Sequence, residues 1–286
     1  MSGETKEDTA RRRRAFPTFP ALPPLLTVGL LALLAIVLAV VLIPVLSPYD
    51  PTREDVAAML QPPSFAHPFG TDQLGRDILV RVAAAGRIDL ALMVGAEAAP
   101  FVIGTAAGLV AGYRGGWWDR AVTLLSDTLI AFPFYLTVAV VAFVFGAGVR
   151  GVVLTFLIVG WVVFARSVKG VTASLAHAEW VESARVMGFS DTSVMARQLL
   201  PNVLPQALVV FATDMVALLV SIVTLGYLGL GIAPPTPDWG TMIADGQSFL
   251  ATRWWLSTLP GCVVVLVGLA LAMVADGLNE LGRRGI

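Results

Sequence analysis

Among the acidic residues inside long apolar runs of this chain, Asp276 lies close to the end of its run, whereas Glu97, Asp127 and Asp214 stand out. A carboxylate in such surroundings is costly unless it pairs or faces a wet cavity, so each is a candidate for lining a polar path through an apolar medium. Glu97, near the middle of its run, suits a buried or cavity-facing role. Asp127 and Asp214 lie nearer run ends and can equally pair with a backbone group or a cation. A second group is Glu179, Glu182 and Arg185, at i, i+3 spacing in a polar stretch between two apolar blocks. Charges so placed on a short helix present a docking face. Catalysis has no comparable constellation: the chain holds no G-x-x-x-x-G-K-[ST], no H-E-x-x-H and no G-x-S-x-G. His67 and His177 are far apart and form no metal site. The lone cysteine, Cys262, rules out a disulfide framework and reads as a small hydrophobe.

The elements that hold these residues belong in a membrane. With 57% hydrophobic and 14% charged residues, and a mean hydropathy of +0.80, the chain carries more apolar surface than a soluble domain of its length buries. The first apolar run, 25–46, is about 20 residues, enough for a hydrocarbon core of about 30 Å and too long for a signal-peptide core. No small-x-small cleavage site follows it, so an uncleaved spanning helix over 21–47 is expected, with Pro23 and Pro24 in its first turn. Residues 1–20, with Arg11 to Arg14, read as a disordered basic tail. Five further blocks follow at 88–113, 121–145, 151–165, 207–230 and 256–278. Backbone groups in lipid must be satisfied within their own segment, so an all-α polytopic protein of six spanning helices is expected.

Six spans place both termini on one side, and Lys and Arg choose it. A cytoplasmic N-terminus gives the inner side Lys6, Arg11 to Arg14, Arg114, Arg120, Arg166, Lys169, Arg185, Arg197, Arg283 and Arg284. The outer side then holds Arg53, Arg76, Arg81, Arg87, Arg150 and Arg253. The bias is roughly two to one, in the direction the positive-inside rule requires. The polar stretch, in a loop over 166–204, falls on the inner side.

Local signals shape that stretch. Trp180, Val181, Ala184 and Met187 recur at helical spacing, which predicts one apolar face. Gly188 can end the helix at φ > 0, Ser190 or Asp191 can cap the next, and Leu200-Pro201 with Pro205 predict a break before the fifth span. The expected form is a helix–turn–helix elbow. In the second span Gly104, Gly108 and Gly112 recur at i+4 and predict close helix packing, chiefly within this chain. Two outer segments are expected, 48–86 with a helix from Ile78 to Ala85, and 231–255, whose prolines stiffen it and whose tryptophans suit anchoring at the membrane interface.

The elbow also carries a resemblance. Glu182, Ala184, Gly188, Leu200 and Pro201 follow the spacing of the E-A-A-x3-G-x9-I-x-L-P motif of ABC importer membrane subunits, with Ser183 and Gln198 departing from it. HPFGTDQLGRDIL (67–79), AGYRGGWWD (111–119), AFP (131–133) and LGLGIAPPTPDWG (228–240) extend the likeness. In this order they resemble the C-type inner-membrane permease of dipeptide/oligopeptide importers of the peptide/nickel family, over about 24–281. The resemblance implies a type I importer permease fold in a bacterial inner membrane. Glu179, Glu182, Ser183, Ala184, Arg185, Gly188, Leu200 and Pro201 would then form an ATPase-coupling helix and its flank. It also implies a homologous second permease, two ATPase subunits that use ATP and Mg, and an external substrate-binding protein. The chain itself would hold no cofactor, touching lipid but no nucleic acid. Di- and oligopeptides lead as substrates, with nickel or metal chelates, glutathione and other small solutes as alternatives. A channel or secondary carrier would account for the spans but not for the elbow.

Overall fold

A computed structural model describes residues 22–283. The basic tail, with Lys6 and Arg11 to Arg14, and Arg284 lie outside the described residues. The regular elements of the described chain are all helices, save for one isolated bridge pairing Thr71 with Asp77. Helix α1 (Pro24–Leu46) has Pro24 in its first turn, where a missing N–H costs nothing. It packs along α11 (Trp255–Arg283) and turns most of its remaining side chains outward, as a span facing lipid does.

Helix α2 (Ile78–Arg114) is one continuous rod of 37 residues. At 1.5 Å per residue it is about 55 Å long, well beyond a hydrocarbon core. The expected outer helix from Ile78 to Ala85 is therefore the protruding first part of the second span. Asp77 caps it, accepting from the Val80 N–H at 2.9 Å and paired on its other oxygen with His67 Nδ1 at 2.8 Å. Charges that obscured this continuity are locally neutralised. Arg81 meets Asp72 at 3.4 Å and donates to the Pro51 carbonyl at 2.7 Å, while Arg87 donates to the Val40 carbonyl at 2.7 Å.

The third block is not one helix. Helix α3 (Gly116–Ala131) and helix α4 (Phe134–Phe145) meet at a bend of 87°. Pro133 supplies no N–H and pushes Phe132 into extended backbone (φ −85°, ψ 133°), so the helix stops there. The described residues thus contain five long apolar helices and this broken pair. Helices α5 (Val149–Val159) and α6 (Trp161–Leu175) run on from each other as the next span.

After the elbow helix α7 (Glu179–Val186) comes α8 (Asp191–Val194), then a π-helical turn (Met195–Leu199) and α9 (Leu200–Tyr227). The expected break at Leu200-Pro201 and Pro205 is absent, and Asp191–Tyr227 is continuous. The wide π turn just before Pro201 accommodates a ring and a missing donor that a tight turn would not. Asn202 Nδ2 donates to the Gln198 carbonyl at 2.6 Å in the same stretch.

At the opposite end, a short helix α10 (Trp239–Gln247) folds back against α9 and α11. Its cap, Asp238, accepts from the Thr241 N–H at 2.7 Å, and burial pushes that carboxyl up from its ordinary range. Trp239 is 0% exposed; its Nε1 donates to the Val82 carbonyl at 3.0 Å and its backbone N–H to Asp89 at 3.0 Å. Interface anchoring therefore does not describe Trp239, nor Trp255, which is also buried; Trp254, 52% exposed, stays outside. Trp239→Ala is expected to cost about 3–5 kcal/mol through lost burial and a residual cavity. Thermal unfolding in detergent checks this against Trp254→Ala, which should leave the midpoint nearly unchanged; equal shifts would contradict the packing described.

Candidate functional site

The elbow closes one end of the bundle. Helix α7 ends in a Schellman turn: Gly188 N–H bonds the Arg185 carbonyl at 2.9 Å and Phe189 N–H the Ala184 carbonyl at 3.2 Å, with Gly188 at φ +85°. No atom crowds a Cβ built at Gly188, so its requirement for glycine is conformational. Ser190 then caps α8 by accepting from the Ser193 N–H. The apolar residues of α7 do not share one face. Val181 and Ala184 are buried against Leu109, Val168, Val194, Leu199 and Val203, whereas Trp180 and Met187 turn outward. With Val186 at 88% exposure, Met187 at 69%, and Phe189, they form an apolar outer stripe beside exposed Glu179, Glu182 and Ser183. An eight-residue helix lying across a bundle end buries one stripe and leaves the other for something else.

Two side chains fix the angle of the elbow. Arg185 Nε donates to the Tyr113 hydroxyl at 3.1 Å, with the guanidinium 4.6 Å from the ring centroid. Tyr113 in turn donates to Asp191 at 3.0 Å, joining α7, α8 and the end of α2. In the sequence, only its position in AGYRGGWWD signals Tyr113. The Ser183 hydroxyl donates to the Glu179 carbonyl at 2.8 Å within α7. Leu200 packs against the elbow core and Pro201 is exposed.

Helix α2 reaches the elbow along a seam of glycines. Gly104, Gly108 and Gly112 face successive turns of α6, where a Cβ would meet the carbonyls of Trp161, Ala165 and Lys169. At Gly108 and Gly112 the approach would be 2.6 Å and 2.7 Å, so the two backbones touch without side chains between them.

The intramembrane acids gather on one side of the bundle. Glu97 is 0% exposed, and neither of its oxygens has a hydrogen-bond partner of good geometry, although the Asp214 carboxyl lies beside it. Asp214 lines a cavity of about 430 Å³ between α4, α5, α6 and α9, together with Arg166 and Ser221. Asp127 pairs with Arg166 at the same cavity, on surfaces that remain about half exposed. Lys169 meets Asp119 at 2.7 Å one turn further along α6. Among the described residues no cluster of three His, Cys, Asp or Glu side chains is arranged to hold a metal ion.

Known proteins share this chain's design. Residues 104–285 match the family described as binding-protein-dependent transport system inner membrane component, and residues 24–63 match the N-terminal TM domain of oligopeptide transport permease C. The chain belongs to that family, as a C-type permease of the peptide/nickel group of ABC importers. Glutathione transport system permease protein GsiD of Pectobacterium atrosepticum is 35% identical over 236 residues, 82% of this chain and 78% of its own. GsiD of Escherichia coli O6:K15:H31 is 36% identical over the same length, with the same coverage. Dipeptide transport system permease protein DppC of Alkalihalophilus pseudofirmus is 30% identical over 256 residues, 90% of this chain and 84% of its own. The chain is accordingly a multi-pass inner-membrane subunit without catalytic chemistry of its own. The family works as a complex of permeases, ATPases and a binding protein, in which ATP is consumed by the ATPases.

Proposed function

We propose that this chain and a homologous second permease form the path by which di- and oligopeptides, delivered by an extracytoplasmic binding protein, enter the cell, driven by two ATPase subunits. The observation that carries the reading is the outer stripe of α7, an apolar and acidic surface on a rigidly capped elbow that the described residues leave uncovered. An ATPase docked there would move α7, and with it α9, which continues from the elbow across the membrane. Docking must differ in strength between two conformations, since equal docking shifts no population. The face bearing Asp127, Arg166 and Asp214 is the wall of the path, because charged side chains of spanning helices avoid lipid and turn to a partner or to water.

The elbow end, with both termini, is placed in the cytoplasm. The roughly twofold excess of Lys and Arg on that side supports the placement. Glutathione, itself a small peptide, is the closest alternative substrate, given the two GsiD relatives.

The reading is tested in vesicles containing the full transporter and its binding protein. ATP-dependent uptake of radiolabelled trialanine is expected to exceed that of glutathione, and uptake of neither would overturn the reading. In a Cys262→Ser background, a cysteine at Ser174 should be labelled only from the cytoplasm and one at Thr236 only from outside. Labelling of both from one side would overturn the orientation.

A further inference from the structure

The cavity beside α9 has an unbalanced charge. Asp214, Ala217, Leu218 and Ser221 line it at i, i+3, i+4, i+7 spacing, so one face of α9 forms its wall. Ile130 and Phe134, on either side of the α3–α4 bend, stand on the same cavity, so the break at Pro133 shapes its mouth. Among the described residues that line it the one cation, Arg166, is already matched by Asp127. Asp214 has no such match: among the described residues no Lys, Arg or His forms an ion pair with it or with Glu97. Behind it stands Glu97, wholly buried, with no neighbour but the Asp214 carboxyl to share its charge among the ion pairs of the described residues. Keeping two adjacent carboxyls in a low-dielectric interior without a cation is expensive, and a helix–helix tie between α2 and α9 would need only neutral groups.

We infer that Asp214, backed by Glu97, is a binding site for the ammonium group of the transported solute. The solute supplies the cation that the fold omits. The free amino terminus of a peptide would lie against Asp214, within reach of the Ser221 hydroxyl, while apolar side chains contact the Phe134 and Phe156 wall. The site thus favours a solute with a free ammonium group over an anion, which rests on, and narrows, the reading of the chain as a peptide importer.

The test reads the local charge without requiring transport. In the assembled complex with Cys262→Ser, a cysteine replaces Ser221. Its modification rates by 2-(trimethylammonium)ethyl methanethiosulfonate and by the anionic 2-sulfonatoethyl analogue are measured, each normalised to 2-mercaptoethanol. The cationic reagent is expected to react faster by at least about tenfold, as a charged cleft concentrates its counter-ion. Asp214→Asn should collapse the ratio towards one, Asp214→Glu should keep it, and trialanine should slow the cationic reagent. Equal rates in the unmodified cavity, which a cation from the second permease would also give, overturn the inference, as does a thiol that neither reagent reaches. Trialanine uptake by the wild type separately decides the importer reading. Where it occurs, Asp214→Asn should lower it at least about tenfold with assembly intact, and an unchanged rate overturns the site alone.

Discussion

Gly188→Val and Glu182→Lys are each expected to abolish most uptake while the protein inserts and pairs with its partner permease normally. Both positions lie outside the spanning helices, and a Cβ at Gly188 would clash with nothing. The cost of valine is conformational: φ +85° is a region that a β-branched residue scarcely enters, worth about 1–3 kcal/mol. That cost would open the Schellman turn and swing α7 away from its seat on Val194 and Leu199. Glu182→Lys acts differently, reversing a charge on the exposed face while leaving the fold intact. Losing about 1.4 kcal/mol of docking free energy weakens ATPase retention about tenfold. Co-purification of the ATPases and vesicle uptake should fall together, and normal retention in both variants would remove α7 from the coupling role.

Gly108→Leu should have the largest effect on the fold. A Cβ there would approach the Ala165 carbonyl to 2.6 Å, and the flanking contacts at Gly104 and Gly112 leave α2 no room to slide along α6. Overpacking of a filled interior costs about 1–3 kcal/mol, occasionally more, and here the neighbours are the Ala165 carbonyl, the Lys169 N and the Val168 Cβ, none of them the end of a flexible side chain. The variant is expected to lose its thermal transition in detergent and to be degraded in cells. Gly95, which faces open space on the same helix, is the control, and Gly95→Leu should be tolerated. Comparable stability of the two leucine variants would show that the seam does not hold the helices together.

How far the fold was readable depended on whether the deciding interaction was local. The spans of α1, α9 and α11 follow from apolar length, and φ > 0 at Gly188 and the cap at Ser190 follow from residue type, because lipid and backbone sterics act within a few residues. The full reach of α2 did not follow, since Arg81 and Arg87 look like loop charges until Asp72 and the Val40 carbonyl are seen to satisfy them. The 87° bend at Phe132-Pro133 was hidden because an apolar run does not reveal whether a proline ends or merely kinks a helix. Trp239 looked like an interface anchor because its real partners lie 150 and 157 residues away in the chain. Around the elbow the stretch proposed for coupling stood out by spacing. The Tyr113–Arg185–Asp191 link that holds its angle is tertiary and left no periodic trace.

The most direct measurement of the central claim is a photocrosslink from the elbow. p-Benzoylphenylalanine in place of Val186, an apolar side chain of α7 that is 88% exposed, is irradiated in the assembled transporter with and without ATP. The account predicts an adduct with an ATPase subunit whose yield changes between the two nucleotide states, because docking strength must differ between conformations. An adduct with the binding protein, or none with an ATPase in a complex that transports, would contradict it.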